Sequence, residues 1–83
     1  MARFYLNIHN GIGDVKDEEG RELAGLEEAR AAAIEGIRSL VSEEAKTGLL
    51  DLTGFIEIVD AEGVVLCQVE YQEAVDLRRA KAP

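Results

Sequence analysis

Leu26–Lys46, LEEARAAAIEGIRSLVSEEAK, is the stretch whose reading decides the fold. Placed at 100° per residue, Ala29, Leu40, Ala33, Leu26, Ile37, Val41 and Ile34 fall on an arc of about 140°, the apolar stripe of a core-facing helix. Glu27, Glu28, Glu35, Arg38, Ser39, Ser42 and Lys46 lie outside it. Gly25 reads as the N-cap, although it offers no side-chain acceptor. Glu27 and Glu28 suit the positive end of the helix dipole, and Glu28 can reach back to the cap amide. Gly48 reads as the C′ residue that closes the helix. Three i,i+3 ion pairs are expected along it: Glu27–Arg30, Glu35–Arg38 and Glu43–Lys46. Gly36, mid-helix, costs about 1 kcal/mol relative to alanine. With Ala29 and Ala33 it reads as a small-residue strip that lets a sheet approach, ahead of a kink or a ligand groove.

The sequence on either side of this helix is strand-like. Residues 3–9 alternate strictly, with Phe4, Leu6 and Ile8 on one face and Arg3, Tyr5, Asn7 and His9 on the other. Asn10-Gly11 follows as a hairpin turn, because both positions tolerate positive φ. Residues 12–16 run back as a shorter strand with Val15 facing in. Asp17 to Gly20 is a turn, and Arg21 to Leu23 an extended lead into the helix with Leu23 as its anchor. Beyond the helix, Leu49 to Leu52 should cap one end of the core. Residues 54–59 and 64–71 form a second hairpin around Asp60-Ala61-Glu62-Gly63, a type I turn with a glycine bulge. Ile56, Ile58, Val65, Cys67, Val69 and Tyr71 are assigned inward.

The architecture that follows is α+β, β-β-α-β-β, with one long helix on one face of a four-stranded, mostly antiparallel sheet. Strand order 2-1-3-4 keeps every neighbouring pair antiparallel. Residues 1–75 make a single domain, and 76–83 a short basic tail expected to be disordered. At about 0.05–0.15 kcal/mol per residue such a domain has a modest stability of roughly 4–12 kcal/mol.

Composition excludes several functions. The net charge is −8, with nine basic and seventeen acidic residues. Arg78, Arg79 and Lys81 lie in the tail, opposed there by Asp76 alone, so the body holds six basic against sixteen acidic residues. A body so acidic repels nucleic acid and anionic membranes. No apolar run reaches the length of a signal peptide or a membrane span. The single cysteine, Cys67, cannot form an internal disulfide, so a cytoplasmic protein is expected.

Chemistry-bearing motifs are few. His9 is the only histidine and stands on the face opposite Cys67, so neither a Cys/His nucleophile pair nor a mixed metal site is expected. The run Asp14 to Gly20 resembles a calcium loop, but Lys16 occupies its third position and Gly20 falls one place too late. Gly11-Ile12-Gly13 precedes no helix and is not a phosphate loop. No enzyme activity, cofactor, metal or small-molecule ligand is inferred.

The informative feature is the outer sheet face, which should be polar if a helix covers only the other side. It carries Tyr5, Phe55, Val59, Val64 and Leu66, enough to form an apolar patch of a few hundred Å². The expectation is a non-enzymatic interaction or regulatory module whose partner is a protein, and which self-associates through this face. The alternative is an antitoxin-like partner of a small basic protein.

Three stretches, Arg3 to Gly11, Asp17 to Leu23 leading into Leu26 to Arg30, and Asp60 to Leu66 with Tyr71 to Ala74, together resemble a family of small stand-alone bacterial domains of unknown function. Members carry Pro-Asp where this chain has Ala24-Gly25, which implies a weaker helix cap here. They carry Pro-Phe near Glu70-Tyr71, which implies that the last strand pairs further here. The resemblance brings no activity, ligand or catalytic residue.

Overall fold

The structure, a computed structural model, describes residues 1–76 and 78. The proposed basic tail lies outside these except for Asp76 and Arg78, which pair with each other at 2.8 Å. The chain order is β1 (Ala2–Asn10), β2 (Gly13–Val15), β3 (Arg21–Leu23), α1 (Leu26–Ala45), β4 (Phe55–Val59), β5 (Val65–Glu70) and α2 (Tyr71–Ala74). All pairings are antiparallel, in the order β2-β1-β4-β5, which is the expected 2-1-3-4. One long helix lies on one face of the sheet, and the α+β reading holds.

The expected extended lead at residues 21–23 is a fifth strand, β3, which pairs with the first part of β1 while β2 pairs with its last part. Both therefore share one edge of β1, and a detour at residues 16–20 separates them. Asp17 bridges the break. Its carboxylate accepts the amides of Leu6 at 3.1 Å, Glu19 at 3.2 Å and Gly20 at 2.9 Å, and its own amide donates to the Asn7 side chain at 2.9 Å. Side-chain bonds here replace the ladder that the detour removes. Gly20 makes the return possible at φ +69, where a Cβ would fall 2.9 Å from the Phe4 carbonyl and from the Tyr5 ring.

The first hairpin turn is shifted by one residue from its expected place. Asn10 pairs with Gly13, so the loop is Gly11-Ile12, and neither Asn10 nor Gly11 has positive φ. The Asn10 side chain sets the turn by accepting the amides of Ile12 at 2.9 Å and Gly13 at 3.2 Å. The second hairpin follows the expected geometry, with Gly63 at φ +85 and Asp60 accepting the amides of Glu62 and Val64.

The core is Phe4 of β1, Ala29, Ala33 and Ile37 of α1, Ile56 and Ile58 of β4, Val69 of β5, and Tyr71 and Ala74 of α2. Ile34, Leu40 and Val41 pack against it, as the helical stripe requires, whereas Leu26 is exposed. Gly25 caps α1 without a side-chain bond. The Leu49 amide bonds the Glu44 carbonyl and the Gly48 amide bonds the Ala45 carbonyl, the paired closure that places Gly48 at C′. Leu52 joins the core, but Leu49 and Leu50 are exposed and cap nothing.

Two expectations are corrected near the C-terminus of the domain. The last strand ends at Glu70 and pairs no further, because Tyr71 starts the single turn α2. Glu70 and Glu73 form a reciprocal capping box there. Tyr71 is fully buried against Gly54, whose carbonyl accepts its amide at 2.9 Å. Of the three helix ion pairs only Glu43–Lys46 forms, at 3.1 Å. Arg30 reaches Glu73 instead at 3.2 Å, and the Arg38 Nε–H donates to the Ala74 carbonyl at 2.6 Å. Both arginines clamp α2 onto α1.

Candidate functional site

The register fixes the outer face as three rows across β1, β4 and β5. Tyr5, Val59 and Val65 form the first, Asn7, Glu57 and Gln68 the second, and His9, Phe55 and Glu70 the third. Val65 belongs to this face, not to the core side where alternation assigned it. Ile58 pairs with Cys67 but Val59 pairs with Val65, so Leu66 is an extra residue and the strand's parity flips at the bulge.

Of the five residues expected on the patch, the structure brings Tyr5 and Val59 into contact range in one row, with Val64 and Leu66 flanking Val65 on β5. Phe55 stands apart, two rows away beyond the polar middle row. Val64, Val65 and Leu66 are 55, 49 and 39% exposed. Tyr5 and Phe55 are half-buried, and Val59 is buried between its cross-strand neighbours. A hollow of about 360 Å³ opens beside the first row, with Tyr5 and Val59 on its floor and Lys16, Glu18 and Asp60 on its rim.

The third row is organised around His9. Its ring stacks on Phe55 with centroids 4.8 Å apart, and Nδ1 lies 2.9 Å from the Asp14 carboxylate. Nε2 is shielded, makes no hydrogen bond, and lies 3.6 Å from the Glu57 carboxylate. The hydrogen bond to Asp14 and the two acidic charges raise the His9 pKa above its ordinary value, against a smaller opposing effect of burial. A protonated ring links β2 to β4 across β1. The one-residue shift of the hairpin turn is what brings Asp14 opposite His9.

Cys67 lies on the helix side of the sheet, half-buried, with Arg30 Nη1 3.8 Å from its Sγ. His9 and Cys67 thus occupy opposite faces, as expected. Among the described residues no cluster of three or more His, Cys, Asp or Glu side chains is placed to hold a metal ion. None of the described helices is long and apolar enough to cross a membrane.

Residues 3–72 match the family model described as "Domain of unknown function (DUF6894)". No curated protein and no solved structure matches the chain.

Proposed function

We propose, from the premise that the chain belongs to this family of domains of unknown function, that it is a non-enzymatic interaction module that self-associates through the outer sheet face. The observation that carries the reading is the row Tyr5–Val59–Val65, an apolar strip on the side of the sheet away from α1, continued by exposed Val64 and Leu66. A soluble domain gains by covering such a strip, and a two-fold contact lets one copy cover the other's. The two edges of the sheet support a face contact over an edge contact. The β2–β3 edge carries Asp14, Glu22 and Arg21, and the β5 edge is kinked by its bulge, both devices that discourage strand addition.

The remaining chemistry-bearing side chains have structural roles in this reading. His9 ties β2 to β4, and Arg30 packs over Cys67 while holding α2. Two copies at −8 each repel, so association tightens as salt screens them.

Sedimentation equilibrium from low micromolar to millimolar protein tests the proposal. The expected result is a reversible dimer, stronger at high salt, and a Val65→Lys variant that stays monomeric with an unchanged circular dichroism spectrum. That substitution lowers the net negative charge, so its effect must come from burying a cation in the contact. A wild-type chain monomeric throughout overturns the proposal.

A further inference from the structure

The polar rows of the outer face have to take part in any stable contact through it. One row of three side chains, on strands ~4.8 Å apart, covers on the order of 100 Å² of sheet, whereas each partner in a stable dimer buries ~800 Å². Contact through Tyr5, Val59 and Val65 alone is too small, so two copies must bring their second and third rows together as well. Those rows carry charge. Asp14 of β2 stands directly opposite His9 of β1, Glu57 of β4 lies in the middle row, and Glu70 of β5 ends the third row beyond Phe55. His9 is the cation these rows can supply, since their other members are Asn7, Gln68 and Phe55.

The surroundings of His9 favour the charged ring. A neutral imidazole has one N–H and one lone pair. With the proton on Nδ1 the 2.9 Å bond to Asp14 is kept, but the shielded Nε2 lone pair then faces the Glu57 carboxylate 3.6 Å away. With the proton on Nε2, a lone pair meets the Asp14 carboxylate at 2.9 Å instead. The imidazolium gives both carboxylates a proton to face, and Phe55, stacked at 4.8 Å, holds the ring in place. The other charges nearby are engaged elsewhere. Lys16 lines the hollow beside the first row, Arg3 is bonded to Glu19 and Glu22, and Asp51, beside Gly11, is bonded to Thr53.

We propose that His9 gates self-association: two copies meet across all three rows while the ring is charged, and separate as it loses its proton. The inference rests on the outer face being the contact, as proposed above, and adds its regulation. In the two-fold pair each copy contributes three carboxylates, Asp14, Glu57 and Glu70, and each neutral ring leaves one more of them uncompensated. The dimer therefore holds the His9 proton more tightly than the monomer does, and association weakens as pH rises.

Sedimentation equilibrium at constant moderate salt, from about pH 6 to about pH 8.5, tests the gate. The dimer dissociation constant should rise at least about tenfold over that range in the wild type. His9→Gln, with an unchanged circular dichroism spectrum, should dimerise weakly at every pH and keep only the small slope of the Met1 amine. Glu57→Gln should dimerise more tightly than the wild type at the basic end. By reciprocity, the His9 Cε1–H resonance should titrate at higher pH in concentrated than in dilute protein. A dimer whose affinity is independent of pH, or an equal slope in His9→Gln, overturns this proposal and leaves self-association standing. A chain monomeric at every pH, with a His9 titration independent of concentration, overturns both.

Discussion

Asp17 holds the β1 edge together where two short strands fail to meet. Burial, the largest single influence, pushes its carboxyl pKa up, but the amides of Gly20, Leu6 and Glu19 together outweigh it and hold the group below its ordinary value. Asp17→Ala leaves three amides without that acceptor and should cost about 1–3 kcal/mol in urea unfolding. Because the folded pKa is depressed, this contribution is present above the ordinary carboxylate pKa and lost as pH falls through the lower folded value. Asp17→Asn should therefore flatten part of the acid limb of a stability–pH curve. His9 has the opposite sign. Its pKa is raised in the fold, so its stabilisation is complete below the unfolded value near 6.5 and disappears as pH rises through the folded pKa. The thermal midpoint should fall between mildly acidic and mildly basic pH in the wild type, and His9→Gln should remove that slope. Neither role was legible in the sequence, because both depend on register. Asp17 read as a solvated turn, and His9 met Asp14 only once the turn centred on Gly11-Ile12.

The elements themselves were legible wherever periodicity ran long. Alternation over residues 3–9 and the helical stripe over 26–46 are each repeated often enough to override any single residue, and the strands and helix lie where those patterns put them. What the patterns could not carry was a change of phase. The extra residue Leu66 turns Val65 outward, since a period of two has no memory across a bulge. The turn α2 was missed for a related reason. Four residues cannot display helical periodicity, and its stability comes from Arg30, Arg38 and the Glu70–Glu73 box, all of them tertiary or local bonds. At the scale of α1, Ala29 and Ala33 of the small-residue strip are buried in the core, while Gly36 lines a groove and lies nearest Ile56 of β4. Gly36→Ala should raise stability by about 1 kcal/mol in chemical denaturation, since the helix gains propensity and the added methyl meets only ordinary contact with Ile56. A loss of stability would mean that the backbone at Gly36 is constrained more tightly than its surroundings indicate.

For the molecule as a whole, the chief consequence of one long helix on one face of a five-stranded sheet is asymmetry. One face is packed, with a groove beside Leu6 and Ile8, and the other carries an apolar row in which Val59 is buried and Tyr5 half-buried while the β5 end, Val64 to Leu66, is exposed. The acidic charge keeps copies apart at low salt, so any association through that row must be built from close apolar contact and is governed by few side chains. Alternation put Tyr5, Phe55, Val59, Val64 and Leu66 on this face and Val65 inward, whereas the register joins Tyr5 and Val59 to Val65 and sets Phe55 apart under His9. The most direct test is an isotope-filtered NOE experiment on a mixture of labelled and unlabelled chains at high concentration and high salt. Intermolecular cross-peaks between the Tyr5 ring and the methyls of Val59 and Val65 are predicted. Intermolecular peaks from α1 instead, or none at all, would contradict the account.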